Sequence, residues 1–106
     1  MLNKTKDEIF MEEAIRLAER AGRMSEVPVG ALVVLGDKVI GAAGNASIKN
    51  IDPTAHAEML AIKQASSHLG NYRLAGASLY VTIEPCTMCL GAMMHARISR
   101  LVFGAL

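Results

Sequence analysis

Tryptophan is absent from this 106-residue chain, and phenylalanine and tyrosine contribute only Phe10, Tyr72, Tyr80 and Phe103. So thin an aromatic content offers little surface for stacking nucleobases. Charge of one sign is lacking too: eleven Lys+Arg against ten Asp+Glu leave a formal charge of +1, with no block of like charge. That balance names neither nucleic acid nor a membrane surface as partner, so either would have to be argued from a site. Cysteine is confined to Cys86 and Cys89. In a reducing compartment that spacing suggests metal binding or thiol redox chemistry before a structural disulfide. No long apolar run exists; the densest early one, residues 27–35, contains Pro28 and Gly30 and falls well short of the roughly 20 residues of a membrane helix. The first 13 residues are charged from Lys4 onward, without the apolar stretch of ~7–15 residues of a signal peptide. These absences predict a soluble cytoplasmic protein that does not enter a membrane.

What is present suffices for one folded domain over residues 1–106. Apolar residues make up 52% of the chain, too many for disorder and enough for a core. The length argues against two domains and is short for a full α/β enzyme. Thr5 followed by Glu8 forms a capping box, and Phe10, Ala14, Leu17, Ala18, Ala21 and Met24 recur at helical spacing behind it. Residues 27–35 read as a buried strand, Gly36-Asp37 as a tight turn, and residues 38–46 as a second, glycine-weakened strand. After a polar loop, Asp52-Pro53-Thr54 carries helix-start chemistry, and residues 55–67 form a second helix with Ala57, Leu60, Ala61 and Ala65 on one face. Residues 77–83 make a third strand, residues 86–96 a third helix opened by Pro85, and residues 100–103 a fourth strand. The order α-β-β-α-β-α-β, with a helix joining the last two strands, predicts a three-layer α/β/α domain with a parallel βαβ unit.

Two strings carry chemistry: His56-Ala57-Glu58 and Pro85-Cys86-Thr87-Met88-Cys89. Each is expected in the first turn of a helix that follows a strand, where open α/β sheets place their ligands. Unpaired N–H groups there favour thiolate at both cysteines. Two thiolates at i, i+3 can grip one ion, and His56 can complete a set of three. Three protein ligands leave the fourth tetrahedral position of Zn2+ for water, the catalytic pattern. Zinc lowers the pKa of that water to around 7, and Glu58, a carboxylate outside the ligand set, is placed to shuttle its proton.

Other readings compete. Cys86 and Cys89 could be a redox pair, but that chemistry calls for neither His56 nor Glu58. A closed structural zinc site needs a fourth ligand. His95 lies six residues beyond Cys89, about one and two-thirds helical turns away, and His68 lies near the far end of its helix. Both are read as surface or partly packed histidines. Glu84 is read as a solvated or capping carboxylate, and Met88, Met93 and Met94 as core or interface filler.

The H-x-E…P-C-x-x-C arrangement resembles that of the cytidine deaminase-like superfamily of zinc-dependent deaminases. Within it the chain is similar to bacterial tRNA-specific adenosine deaminases, through Glu26-Val27-Pro28-Val29-Gly30-Ala31, Asn45, Asp52-Pro53-Thr54-Ala55-His56-Ala57-Glu58, Asn71-Tyr72-Arg73-Leu74, Leu79-Tyr80-Val81-Thr82, Glu84-Pro85-Cys86, Met88-Cys89, Gly91-Ala92-Met93 and Val102-Phe103-Gly104. The zinc strings mark the superfamily; the NYRL string and the loop around Asn45 favour the tRNA branch. The resemblance implies that His56, Cys86 and Cys89 bind zinc and that Glu58 shuttles protons. It further implies that Asn45 hydrogen-bonds the purine and that the Ala57 backbone lines the reaction centre. The implied reaction converts the wobble adenosine of a tRNA anticodon loop to inosine. The implied assembly is a homodimer, with the third helix and residues 71–74 at its interface. Two departures stand out. Gly44 occupies a position that is often aromatic in the family. The chain is also expected to lack the family's last strand and C-terminal helix, which makes it look truncated at the C-terminus. Two alternatives follow: a deaminase of free guanine, cytosine or a nucleoside, and a zinc-binding fragment without catalysis.

Overall fold

In the computed structural model, which describes residues 4–104, the expected capping box opens α1 (Lys6–Arg23). Thr5 Oγ1 accepts the Glu8 N–H, and the Glu8 carboxylate accepts the Thr5 N–H, both at 3.2 Å. Asp7 and Glu8 fall in the first turn and Arg20 and Arg23 in the last, so side-chain charge complements the helix dipole. Next come β1 (Gly30–Leu35), β2 (Lys38–Gly44), α2 (Ala57–Leu69), β3 (Ser78–Val81), α3 (Thr87–Ala96) and β4 (Arg100–Phe103). The Gly36-Asp37 turn has φ of +55° and +65°, the left-handed pair that a two-residue hairpin requires.

The four strands form one sheet in the order β2-β1-β3-β4. β1 is antiparallel to both β2 and β3, whereas β3 and β4 are parallel and joined through α3. Alternate residues of β1 and β3 serve opposite faces. Leu32, Val34 and Tyr80 cluster with Ala14 of α1, while Ala31, Val33, Leu79 and Val81 cluster with Ala57, Ala61, Ile62 and Ala65 of α2 and Met93 of α3. A sheet covered on both faces explains why these strands read as unbroken apolar runs. The expected three-layer α/β/α order is present.

Several boundaries shift for physical reasons. β1 begins at Gly30, not residue 27, because Pro28 has no N–H to donate and Val27 is 60% exposed. β3 ends at Val81, leaving Ile83 exposed. α2 begins at Ala57, so His56 is its N-cap, and Cys86 is likewise the N-cap of α3. Leu60 is only partly buried; Ile62 joins Ala57, Ala61 and Ala65 inside. Among the described residues, no helix is long and apolar enough to cross a membrane.

Candidate metal centre and cleft

An N-cap residue has extended backbone and leaves its side chain free to turn away from the helix. His56 (φ −74°, ψ 152°) and Cys86 (φ −74°, ψ 171°) both do so, and neither side chain caps its own helix. For α2 the missing cap comes from Asn45, just past β2, whose Oδ1 accepts the Ala57 N–H at 2.8 Å. The His56 ring is thereby released toward α3. Its Nδ1 lies 3.6 Å from Cys86 Sγ and 3.6 Å from Cys89 Sγ, and the two sulfurs are 3.6 Å apart.

That triangle is the right size for zinc. Zn–S of ~2.3 Å and Zn–N of ~2.0–2.1 Å at tetrahedral angles give edges of about 3.8 Å and 3.5 Å. Among the described residues, no fourth His, Cys, Asp or Glu joins the three. His68 and His95 are exposed and stand outside the group, as expected. Glu84 is exposed and lines the neighbouring cleft without entering the triangle. A closed four-ligand site is therefore not built here, and a bound ion would keep an open position.

One expectation about the thiols changes. Burial, the Glu58 carboxylate and the Cys86 sulfur push the Cys89 thiol well above its ordinary range. Desolvation opposes the helix N-terminus at this sulfur, and a bound cation would favour the thiolate. Binding of a divalent ion would release the proton.

The triangle borders a cleft of about 270 Å3 lined by Val27, Val29, Asn45, His56, Glu58, Ile83, Glu84 and Cys86. Glu58 is only 4% exposed yet opens onto this cleft, two residues beyond His56 and outside the ligand set. Sequence reasoning missed a second buried carboxylate. Glu26 is 8% exposed and accepts the backbone N–H groups of Ile48 at 3.1 Å and Lys49 at 2.9 Å. It fixes the loop between Asn45 and His56 from below. The other end of that loop is held by Asp52, whose Oδ1 accepts both the N–H (2.9 Å) and the hydroxyl (2.7 Å) of Thr54; these bonds lower the Asp52 pKa. Nothing local to Glu26 signals its role, since its partners lie 22 and 23 residues away. The clue available was its place in the Glu26-Val27-Pro28-Val29-Gly30-Ala31 string.

Known proteins share this fold. Residues 4–105 match the cytidine and deoxycytidylate deaminase zinc-binding region. The chain is 54% identical over 99 residues to a tRNA-specific adenosine deaminase of Buchnera aphidicola, covering 93% of this chain and 61% of that protein. The chain thus spans about three fifths of that relative's length. Among solved structures it is similar to a tRNA:A34 deaminase from studies of A-to-I editing at the wobble position (TM-score 0.93, 50% identity, 95% of this chain and 78% of that one). It is also similar to guanine deaminase of Bacillus subtilis (TM-score 0.90, 37% identity, 98% of this chain and 65% of that one).

Proposed function

We propose, for a chain that belongs to the cytidine and deoxycytidylate deaminase family, that it is a zinc-dependent hydrolase converting adenosine to inosine at the wobble position of tRNA. The observation that carries this reading is the His56–Cys86–Cys89 triangle with Glu58 buried beside it. The substrate assignment draws on the likeness to tRNA-specific adenosine deaminases over 93% of the chain. Residues 1–106 act as one deaminase domain.

His56 Nδ1, Cys86 Sγ and Cys89 Sγ would hold the zinc, which when bound supplies an activated water at neutral pH. Hydrolysis then forms a C6–O bond, breaks the C6–N6 bond of adenine and releases ammonia. Glu58 accepts the proton of the water and delivers it toward the departing nitrogen, a role that contributes ~10²–10⁴-fold. With Oδ1 committed to the Ala57 N–H, Asn45 keeps its amide hydrogens for an acceptor on the purine, and the Ala57 backbone borders the reacting ring. The target base has to leave its stack to enter the cleft. The protein acts in the cytoplasm, with no membrane partner, and as a homodimer. The exposed apolar side chains Leu69, Tyr72, Leu90 and Met94, which include two from α3, support that interface.

A second reading, deamination of a free base such as guanine, is favoured by the likeness to guanine deaminase. The test is to purify the chain with zinc and assay an anticodon stem-loop, free bases and nucleosides by mass spectrometry. Inosine in the RNA with free bases untouched supports the leading reading. Turnover of free guanine alone supports the second. Bound zinc with no turnover on any substrate, and no effect of Glu58→Gln, would identify a non-catalytic zinc-binding fragment.

A further inference from the structure

We infer that the exposed face of α1 is a track for the phosphodiester backbone of the RNA whose base enters the cleft; this rests on the reading of the cleft as an RNA deaminase site. Arg16, Arg20 and Arg23 stand at i, i+4 and i+7 and so share one helix face, over about 10 Å of axis. All three line one surface hollow together with Leu17 and Glu13. Arg20 and Leu17 also line a second hollow, of about 240 Å3, which takes in Lys49 and Asn45. Asn45 in turn lines the cleft beside the metal-ligating triangle. Shared walls therefore link the arginine face to the reaction centre.

In the two hollows cations outnumber carboxylates. The ion pairs among the described residues are Lys4–Glu12, Lys6–Asp37 and Arg100–Asp7, so Arg16, Arg20, Arg23 and Lys49 are all unpaired there. Two carboxylates line the two hollows, and Glu58 and Glu84 line the cleft in which the path ends. Glu13 stands in the arginine hollow. Glu26 lines the second hollow but is buried and committed to two backbone N–H groups. Four free cations beside a hollow floored by Leu17, Ala21, Met24, Ala42 and Ala43 match a chain that carries both anionic phosphates and flat apolar bases. An acidic protein would answer the arginines alone. Continuity with the cleft selects RNA.

The experiment is anisotropy binding of a labelled anticodon stem-loop to the zinc-loaded chain across a salt series. It compares wild type, the triple variant Arg16→Gln/Arg20→Gln/Arg23→Gln, the single variant Lys49→Gln, and a triple Arg→Lys variant at the same three positions. The sites are exposed, and unchanged zinc content and melting temperature confirm folding. Each phosphate left without its cation is expected to reduce the slope of log K against log salt by about one. The triple glutamine variant should bind at least about tenfold more weakly near 0.1 M salt, Lys49→Gln more weakly by less, and the triple lysine variant close to wild type. Wild-type affinity and slope in the triple glutamine variant would overturn the inference, even with inosine formation intact. Competition by poly-glutamate equal to that by unlabelled RNA would also overturn it, in favour of an acidic protein partner. Salt-dependent RNA binding that the glutamine variant loses, in a chain that forms no inosine, would uphold the track and sink the proposed reaction instead.

Discussion

Asn45 joins structure to chemistry in a single side chain, because the oxygen that caps α2 sits on the same amide as the hydrogens assigned to the purine. The two roles separate by substitution. Asn45→Asp keeps an acceptor for the Ala57 N–H and loses the amide hydrogens, so stability should hold while turnover falls. Asn45→Ala removes the cap as well and should cost about 1 kcal/mol in addition; urea unfolding and inosine assays read the two effects. Glu26 is the purely supporting counterpart. Glu26→Ala removes two charge-assisted bonds that anchor the exposed Ile48–Lys49 backbone to a buried carboxylate, and urea unfolding should show a loss of about 1–3 kcal/mol. The four central residues, His56, Glu58, Cys86 and Cys89, were legible because each pair lies within a few positions. Asn45 with Ala57, and Glu26 with Ile48 and Lys49, were not legible as contacts, because folding rather than spacing joins them. Cys89 shows the opposite limit: its helix position suggests a thiolate, and only the folded surroundings reveal the burial that opposes it.

Two glycines let the three layers come close. A Cβ at Gly30 of β1 would overlap the Ala14 carbonyl oxygen of α1, and one at Gly41 of β2 would overlap the Ala61 carbonyl oxygen of α2. Both obstacles are backbone, which cannot rotate aside. Gly41→Ala should therefore destabilise by about 1–3 kcal/mol or more, read as a fall in melting temperature. It should also displace α2, and with it His56 and Glu58. A glycine in a strand reads from sequence as a weak point; its use appears only when the helix above it is known. The other end of the sheet is held by charge. Arg100 of β4 and the Tyr80 hydroxyl of β3 both donate to the Asp7 carboxylate of α1, and they hold that carboxyl well below the usual range. A depressed folded pKa means the contribution is complete above the unfolded value, ~3.9, and is lost as pH falls toward the folded one. Melting temperature should thus decline below about pH 4, and Asp7→Asn should flatten that decline. Helical spacing and capping chemistry gave away the elements themselves, whereas their ends moved where Pro28, His56 and Cys86 had local reasons to leave the regular backbone.

At the scale of the whole molecule, a formal charge of +1 conceals a sorted surface. Glu12 and Asp7 are used up in ion pairs with Lys4 and Arg100, while Arg16, Arg20 and Arg23 gather unpaired on one face of α1 with Glu13 beside them. Composition averages over that arrangement, and only the helix face displays it. The metal couples site and fold in the same way. Zinc that binds the folded chain more tightly than the unfolded one raises stability with its concentration. Removal by a chelator should therefore lower the melting temperature and, by returning the proton to Cys89, take up protons from solution. Both effects are measurable by calorimetry. The central claim is that three ligands and one free carboxylate make this chain a deaminase rather than a metal-stapled domain. Zinc content and inosine formation in an anticodon stem-loop, measured side by side on wild type and Glu58→Gln, test it most directly. The account predicts equal zinc in both proteins, inosine from wild type, and turnover lower by at least about 10²-fold in the variant; equal turnover in the two, or none in a fully zinc-loaded wild type, would contradict it.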